Sequence, residues 1–377
     1  MERTIQRTVI TGADGFIGRH MQVLLRTKED YRDGLVALDR VGFNDDESLE
    51  GSVESADTII HCAGINRDED SALVHGNVEI AQRLVRALVG TGAEPHLFYL
   101  NSTQGTVDSP YGRGKRAAHT AFSDWISAGS GRATYTNVVL PHVFGEGCRP
   151  NYNSAIATFC SNIAEGRPLS INPEGKLELV HVQDVASQIV GAMEQECPRE
   201  LRLIGKNVGV PEAAALLEGM YKQYCSDTIP DLRDRFNLQL FNTLRSYLFP
   251  KFYPRKLELH SDQRGALFEA VKSHNGGQAF LSWTKPGVMR GNHFHFNKVE
   301  RFLVVQGDAL IRIRSLLDGR IEEFSVSGRE PAYIDMPTLH THSISNTGTQ
   351  ELLTVFWTSE IFDPNAPDTF SAKVIEE

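Results

Sequence analysis

The stretch that decides the fold is Thr11-Gly12-Ala13-Asp14-Gly15-Phe16-Ile17-Gly18, which directly follows an apolar run at residues 7–11. Its glycines have G-x-x-G-x-x-G spacing, and apolar residues at helical spacing continue to residue 26. A glycine-rich turn between a first strand and a first helix lets bare backbone approach a pyrophosphate, which the helix N-terminus attracts. The stretch therefore predicts a dinucleotide site at Gly12, Gly15, Phe16, Ile17 and Gly18.

Outward from this turn, apolar β-branched runs alternate with helical patterns. The runs lie at 7–11, 35–39, 58–61, 97–101 and 134–140, and the helical patterns at 16–26, 71–90, 112–125 and 154–165. Strand–helix–strand alternation with short turns predicts a Rossmann-type α/β domain, a doubly wound parallel sheet covered on both faces.

The pattern changes after about residue 250. Short runs of alternating polarity, such as 302–305, 309–314 and 352–357, are separated by turn signals, which predicts an all-β sandwich or barrel. A helical arm and linker at 228–255 joins the two regions. We therefore expect an α/β domain at residues 1–248 and an all-β domain at 249–377.

Composition excludes several classes of protein. The chain has 377 residues, 38 basic against 48 acidic, and a net charge of −10. Because no run of lysine and arginine occurs, binding to nucleic acid or to a membrane surface is not expected. We also see no membrane span and no signal peptide, so we expect a cytoplasmic protein.

The choice of coenzyme is ambiguous in the sequence. The second strand ends at Asp39-Arg40, and an acid there favours the ribose hydroxyls of NAD, whereas an arginine can hold the 2′-phosphate of NADP. The third strand ends in small residues, Ala63 and Gly64, where a cofactor would cross the sheet edge. We expect His61 to be a packed polar residue.

Catalytic chemistry is indicated by Tyr111 and Lys115. Residues four apart share a helix face, so the ammonium can lie beside the phenol and lower its pKa for proton exchange with a carbinol oxygen. Ser102 or Thr103, just past the fourth strand, would polarise a substrate carbonyl. The tyrosine–lysine pair together with the glycine turn and the hydroxyl residues after the fourth strand is a more specific indication of this chemistry than Y-x-x-x-K alone.

Together these motifs make residues 5–245 resemble the extended short-chain dehydrogenase/reductase (SDR) family of sugar-nucleotide epimerases, dehydratases and reductases. The resemblance implies that Tyr111 is the acid/base, that Lys115 is its partner, and that Ser102 or Thr103 supplies the hydroxyl. The loop from Thr103 to Tyr111 is shorter than in most members, which leaves the hydroxyl open. The resemblance further implies cofactor or substrate contacts at Asn77, Pro141 and Val143.

The all-β region carries a histidine cluster. His293 and His295 lie two apart, which places both imidazoles on one face of a strand, and Glu300 and a distant His342 complete a set of three imidazoles and one carboxylate. Such a set suits zinc, iron, nickel or manganese. The pattern predicts a metal site.

The spacing around these residues resembles the cupin pattern, with Leu339 where cupins usually have glycine. The stretches 262–269 and 290–294 also resemble strands of nucleotide-sugar 3,5-epimerases, whose catalytic histidine falls on His293. A metal-bound imidazole is not free to act as the base. Either the metal polarises a carbonyl instead, or His340 or Lys298 takes the proton; His340 fits a surface role equally well.

Nearly end to end, the chain resembles bifunctional capsular polysaccharide and lipopolysaccharide biosynthesis enzymes that make the precursor of UDP-N-acetyl-L-fucosamine. The resemblance implies C3 epimerisation of a UDP-linked 4-keto-6-deoxy-HexNAc by the cupin domain, followed by C4-keto reduction with NADPH. It also implies Zn²⁺, a homodimer, and substrate contacts at Asn153, Arg264 and Glu269. Those enzymes have His-Arg after the second strand, and Asp39-Arg40 here makes NADH possible.

Three other functions compete with this interpretation. A single-activity reductase would use the cupin as a metal-stabilised dimerisation module. A metal-dependent oxygenase would bind iron and consume oxygen. A non-enzymatic sugar-nucleotide sensor would not turn over coenzyme.

Overall fold

A computed structural model describes residues 5–129, 131–195 and 197–376. The chain divides into two compact units. The first contains the described residues of Met1–Phe144, Cys148–Ala155 and Gly175–Gly209, and the second those of Gly145–Gly147, Ile156–Glu174 and Val210–Glu377. Residues 210–248, which the sequence assigned to the N-terminal domain, therefore group with the second unit.

The first unit is built around a parallel sheet. Its strand order is β2-β1-β3-β4-β5-β8, and a smaller sheet has the order β6-β7-β9. The strands are β1 (Thr8–Thr11), β2 (Leu35–Leu38), β3 (Thr58–His61), β4 (His96–Ser102), β5 (Thr134–Leu140), β6 (His142–Phe144), β7 (Lys176–His181), β8 (Glu200–Arg202) and β9 (Lys206–Gly209).

Helices connect these strands, and a 3₁₀ turn at Thr103–Thr106 follows β4. The predicted alternation of strands and helices is confirmed, as is the parallel pairing of the large sheet. The helices are α1 (Phe16–Arg26), α2 (Glu29–Arg32), α3 (Arg40–Asn44), α4 (Asp46–Val53), α5 (Asp70–Thr91), α6 (Pro110–Ala128), α7 (Ala155–Ala164, in the second unit from Ile156 on) and α8 (Val182–Met193).

Successive residues of the strands point to opposite faces of the sheet, which explains their uninterrupted hydrophobicity. Ile10, Ile60 and Phe98 pack with α1 and α8 on one face, while their neighbours pack on the other face with residues of α4, α5 and α6. From β1 the chain continues to β2 on one side of the sheet and then crosses to β3 on the other side. The carboxyl ends of β1 and β3 therefore border a crevice, which is where sheets of this kind bind ligands.

The second unit is rich in antiparallel strands, as predicted for the C-terminal region. Two five-stranded sheets have the orders β11-β20-β17-β22-β15 and β19-β18-β21-β16-β23. Its remaining helices and strands are α9 (Val210–Cys225), β10 (Thr228–Ile229), α10 (Arg235–Leu248), β11 (Arg255–Lys256), β12 (His260–Asp262), β13 (Gly265–Leu267), β14 (Lys272–Ser273), β15 (Gln278–Thr284), β16 (Met289–Phe294), β17 (Glu300–Gln306), β18 (Asp308–Ser315), β19 (Ile321–Ser327), β20 (Ala332–Met336), β21 (His340–Asn346), β22 (Leu352–Thr358) and β23 (Phe370–Ser371).

Buried polar contacts join α9 and α10 to the sheets of this unit. Arg245 of α10 donates to the backbone oxygen of Met336 at 3.1 Å. Tyr224 of α9 donates to Asp335 at 2.6 Å, and Asp335 is paired with Arg301. These bonds, made by side chains that are almost completely buried, explain why 210–248 belongs to the second unit. Within the described part of the chain, no helix combines the length and apolar character of a membrane span.

Candidate functional site

The glycine turn after β1 leaves no room for side chains. Gly12 has φ +66°, and a Cβ on it would lie 2.7 Å from the Cα of Ala63 in the turn after β3. A Cβ on Gly18 would lie 2.4 Å from the backbone oxygen of Gly12. No side chain caps the N-terminus of α1 at Gly15, so its first N–H groups have no side-chain acceptor from the cap residue. A bare backbone turn at a helix N-terminus is the arrangement that accepts a pyrophosphate, and the contacts of Gly12, Gly15, Phe16, Ile17 and Gly18 with a dinucleotide stay a prediction.

At the end of β2, Asp39 and Arg40 have different environments. The Asp39 carboxylate accepts from the backbone N–H of Gly42 at 2.7 Å and so caps α3. Arg40, the first residue of α3, is exposed. The Asp39 carboxylate is thus hydrogen-bonded within its own helix, whereas the Arg40 guanidinium is exposed and accessible to a phosphate.

Asn77 on α5, for which a contact with cofactor or substrate stays a prediction, binds the backbone of the turn after β3 and of its own helix. Its amide donates to the backbone oxygens of Ile65 and Leu73 at 2.8 Å each, and its oxygen accepts from Ile65 N–H at 3.1 Å. It lies against Gly64, where a Cβ would be 3.1 Å from the Asn77 oxygen. Asn77 is thus a clamp that shapes this turn.

His61 is the last residue of β3, and its polar side chain is packed in the interior of the first unit. It is buried, its Nδ1 lies 2.7 Å from Thr11 Oγ1, and its ring packs against Tyr99 and Phe122. Burial lowers its pKa to about 3, with a further contribution from Lys115. The imidazole is therefore neutral at physiological pH.

Tyr111, Lys115 and Ser102 are brought together at the carboxyl end of β4. Tyr111 and Lys115 lie one turn apart on α6, and the Tyr111 side chain is hydrogen-bonded to that of Ser102. Lys115 is buried and donates to the backbone oxygen of Leu100 at 2.9 Å. This contact favours Ser102 over Thr103 as the hydroxyl that accompanies the tyrosine.

The environment of these groups sets their protonation. Burial raises the pKa of Tyr111 to about 12, although the hydrogen bond with Ser102 opposes this rise; Tyr152 adds to it. Burial lowers the pKa of Lys115 to about 8, against a smaller raising effect of Cys62. At neutral pH the phenol therefore carries its proton and the lysine is a cation. The expectation that Lys115 lowers the pKa of Tyr111 is not met, because burial of the phenol raises it.

The segment after β6 adds residues that the sequence analysis did not single out. Tyr152 lies close enough to Tyr111 to affect its pKa, and the Arg149 guanidinium lies 5.2 Å from the Tyr152 ring centre. Arg67 holds this segment by donating to the backbone oxygens of Asn151 and Tyr152 at 2.9 and 3.3 Å. No spacing in the sequence links Arg67 to residues about 85 positions away.

Three further residues that were expected to contact cofactor or substrate, Pro141, Val143 and Asn153, differ in how far they are exposed to solvent. Asn153 is exposed in the turn before α7. Pro141, between β5 and β6, is buried, and Val143 packs against the core on the α1 side of the sheet. Pro141 and Val143 thus pack at this end of the sheet, and their contact with cofactor or substrate stays a prediction.

In the second unit, His293, His295, Glu300 and His342 form one cluster. Their donor atoms all lie within 4.8 Å of one another. Glu300 Oε2 is 3.0 Å from Nε2 of both His295 and His342, and 3.8 Å from Nε2 of His293. The strands explain this convergence, because His293 on β16 pairs directly with His342 on β21.

The donor chemistry of this cluster fits a cation. Nδ1 of His295 lies 2.6 Å from the Asp368 backbone oxygen, and Nδ1 of His342 lies 3.1 Å from that of His340. Since a carbonyl only accepts, both Nδ1 atoms carry protons, so in the neutral imidazoles both Nε2 atoms are left with lone pairs that a cation between them and Glu300 would accept. Three imidazoles and a carboxylate are ligands of Zn²⁺ and of other first-row divalent metals.

Electrostatics keeps Glu300 ionised. Burial raises its pKa, but His293, His295 and His342, which can donate to the carboxylate when they are protonated at Nε2, outweigh burial and hold the pKa well below its usual range. Burial lowers the pKa of His342 to about 4. The cluster thus presents an anionic carboxylate beside at least one neutral imidazole, the state that ligands need for metal binding.

The cluster opens into a cavity on one side. The His293 side chain is 26% exposed, whereas those of the other three are at most 7% exposed. The adjoining cavity has a volume of about 560 Å³ and mostly apolar walls. Its lining is Phe280, Leu281, Ser282, Trp283, Arg290, Gly291, His293, Glu300, Phe302, Ile344 and Phe356.

Four other predicted residues are not among the described residues that line this cavity. His340 is buried, donates to the Thr338 backbone oxygen at 2.8 Å and packs on Phe249. The Lys298 ammonium donates to the Pro367 backbone oxygen and to Thr369 Oγ1. The structure brings neither candidate base to the cavity. The other two are exposed and paired with neighbours, Arg264 with Asp262 and Glu269 with Lys272.

Comparison with protein families assigns both parts of the chain. Residues 8–203 match the NAD dependent epimerase/dehydratase family. Residues 260–370 match the polysaccharide biosynthesis C-terminal domain. The first match covers the glycine turn and the tyrosine–lysine pair, and the second covers the histidine cluster.

Full-length relatives share this organisation. The chain is 32% identical over 375 residues to UDP-2-acetamido-2,6-beta-L-arabino-hexul-4-ose reductase of Pseudomonas aeruginosa, covering 98% of this chain and 99% of that one. The solved capsular polysaccharide assembling protein CapF of Staphylococcus aureus is 32% identical, with a TM-score of 0.63 over 98% of this chain and 100% of that one. CapF with the inhibitor 3-isopropenyl-tropolone matches at 30% identity and a TM-score of 0.56, over 97% of this chain and 99% of that one.

Proposed function

Because the chain belongs to the NAD dependent epimerase/dehydratase family, whose members use a nicotinamide cofactor, we propose that it is a bifunctional nucleotide-sugar enzyme. Its substrate is UDP-2-acetamido-2,6-dideoxy-4-hexulose. The second unit inverts C3, and the first unit reduces the C4 ketone with NADPH or NADH. The product is UDP-2-acetamido-2,6-dideoxy-L-talose.

The observation that carries the proposal is that one chain holds two separate reactive sets. Ser102, Tyr111 and Lys115 form a proton-donating set beside a turn that fits a pyrophosphate. His293 and Glu300 of the histidine cluster line a cavity in the second unit. Full-length likeness to a UDP-sugar 4-keto reductase supports the substrate class.

In the reduction, a nicotinamide coenzyme held at the turn of Gly12, Gly15 and Gly18 would supply the hydride that is added to C4. Ser102 donates a hydrogen bond to the carbonyl oxygen, and Tyr111 gives that oxygen its phenolic proton. Lys115, held by the Leu100 carbonyl, stabilises the phenolate that results. Solvent returns the proton to Tyr111, so the step consumes one hydride and one proton.

In the epimerisation, the C4 ketone makes the C3 proton acidic. A divalent cation held by the histidine cluster would polarise the ketone oxygen when bound. The apolar walls formed by residues such as Trp283, Phe302 and Phe356 lower the dielectric around that oxygen, which strengthens its interaction with positive charge. Removal and return of the C3 proton on opposite faces inverts the centre without net redox change.

The two steps suit one chain because the carbonyl that acidifies C3 is the carbonyl that is later reduced. We further propose that the metal is zinc, that the two five-stranded sheets form a cupin barrel and that the protein is a homodimer. Metal analysis and light scattering test the first and the last of these.

Product analysis with the UDP-4-keto-6-deoxy-HexNAc substrate tests the whole proposal. With coenzyme, we expect the L-talose product; without coenzyme, in D₂O, we expect deuterium at C3 only. A reduced product with unchanged C3 configuration would instead support the single-activity reductase, in which the cupin is structural and dimerising. Chelation should abolish C3 exchange and leave reduction of a pre-epimerised substrate intact.

A further inference from the structure

Strand β23, near the C-terminus, pairs alongside β16, the strand that carries His293. β23 pairs antiparallel with β16, with His293 opposite Ser371 and Phe294 opposite Phe370. One residue further, the Ala372 backbone N–H donates to Asn292 O at 2.9 Å. This pairing brings residues 367–369, immediately before β23, to the turn that joins His295 to Glu300.

In that position, the Asp368 carboxylate binds the turn itself. Its Oδ1 accepts from Phe296 N–H at 3.0 Å, and its Oδ2 accepts from the N–H groups of Asn297 and Lys298 at 2.9 Å each. Three successive N–H groups directed at one anion form a nest-like arrangement that favours negative charge. The contact fixes the backbone between two residues of the histidine cluster.

The backbone of Asp368 makes a second contact. Its carbonyl oxygen accepts from Nδ1 of His295 at 2.6 Å. That bond leaves the Nε2 lone pair directed at the cluster, 3.0 Å from Glu300 Oε2. Asp368 has φ +39°, a region that aspartate and asparagine enter more readily than other non-glycine residues.

Lys298, which lies in the turn between His295 and Glu300, in return binds residues 367–369. Its ammonium donates to the Pro367 backbone oxygen at 2.7 Å and to Thr369 Oγ1 at 2.9 Å. The turn and the segment are therefore joined by side chains from both. This explains why Lys298 is buried although it does not line the cavity.

From these contacts we propose that Asp368 is a positioning residue of the metal site. Its carbonyl sets the tautomer and ring direction of His295, and its carboxylate sets the spacing between His295 and Glu300. Partners of this kind hold metal ligands in place, and their loss typically lowers metal affinity by about 10–100-fold. The inference rests on the metal site of the proposed function.

The test measures binding of Zn²⁺ and Co²⁺ to the full-length protein by competition with a chelator. Asp368→Asn keeps the size and the tolerance of positive φ but presents one oxygen where two are used. Asp368→Gly keeps the backbone conformation and removes the carboxylate. Asp363→Asn is the matched control, since Asp363 is exposed in the same segment and bonds locally to Asn365.

We expect both Asp368 variants to bind Zn²⁺ about 10–100-fold more weakly than the wild type, with a changed Co²⁺ absorption spectrum, and Asp363→Asn to match the wild type. Thermal unfolding of the metal-free proteins identifies any variant that does not fold; if Asp368→Gly fails, Asp368→Asn decides. Wild-type affinity and spectrum in a folded Asp368 variant would overturn the inference, even if that variant is less stable. Failure of the wild type to bind metal would instead overturn the proposed metal site.

Discussion

The Nζ atom of Lys115 lies 5.9 Å from the centre of the Tyr111 ring, one turn further along α6. The same nitrogen donates to the backbone oxygen of Leu100 on β4 at 2.9 Å. Sheet and helix together hold a cation next to a phenol that is hydrogen-bonded to Ser102. The proton transfer that we propose for the first unit depends on this arrangement.

Replacing the two neighbouring hydroxyl residues should give unequal effects. Ser102→Ala removes the hydrogen bond with Tyr111 and should lower kcat of ketone reduction about 10²–10³-fold, the loss typical of one hydrogen-bond donor aimed at developing charge. Thr103→Ala should change kcat less than twofold (roughly the ±0.5 kcal/mol of a peripheral substitution). Steady-state coenzyme oxidation measures both, and equal losses would contradict the assignment of Ser102.

The pH dependence of reduction should report Lys115. Burial lowers its pKa to about 8, whereas that of Tyr111 is raised to about 12. The lysine is charged below its pKa, and its charge stabilises the phenolate, so kcat/KM should fall as pH rises through about 8. Recovery of activity on return to neutral pH is the control for denaturation. A rate that stays constant up to pH about 10, the ordinary range for lysine, would contradict this role.

Gly12→Ala should abolish tight coenzyme binding. The new Cβ would lie 2.7 Å from Ala63 Cα, and the left-handed backbone alone costs about 1–3 kcal/mol. Gly51→Ala on α4 is the matched control, because nothing lies within 4 Å of its added Cβ. Titration of coenzyme by fluorescence compares them. Undiminished binding by a folded Gly12→Ala protein would place the pyrophosphate elsewhere.

Arg40→Ala should discriminate between the two coenzymes. Arg40 is exposed at the start of α3, while the Asp39 carboxylate is held by Gly42 N–H. We expect KM for NADPH to rise about tenfold, the cost of one weakened ion contact of about 1.4 kcal/mol, and KM for NADH to change little. Arg32→Ala, a surface arginine paired with Asp33, is the control. Equal effects on both coenzymes would mean that Arg40 does not bind the 2′-phosphate.

Local patterns predicted much of the fold and the main groups of both sites. The turn at Gly12, the strands ending at Thr11 and His61, and the pair on α6 are encoded within a few residues, so periodicity and spacing reveal them. The histidine cluster also follows from strand alternation at His293 and His295, combined with its resemblance to known cupins.

Long-range contacts could not be predicted in this way. Asn77 has the position of a cofactor contact, but its amide binds the backbone of Ile65 and Leu73. Arg67 holds Tyr152, and Asp368 holds the turn after His295, in each case across about 70–85 positions. Helix α10 follows the N-terminal domain in sequence, but its buried side chains belong to the second unit. These partners become neighbours only after folding.

The most direct test of the central claim uses Tyr111→Phe in D₂O with the UDP-4-keto-6-deoxy-HexNAc substrate. This variant lacks the proton donor, so coenzyme oxidation should fall about 10²–10⁴-fold, while deuterium should enter C3 at the wild-type rate. That result would place the two reactions on separate sites of one chain. Absence of deuterium at C3 in both the wild type and the variant would contradict the bifunctional account.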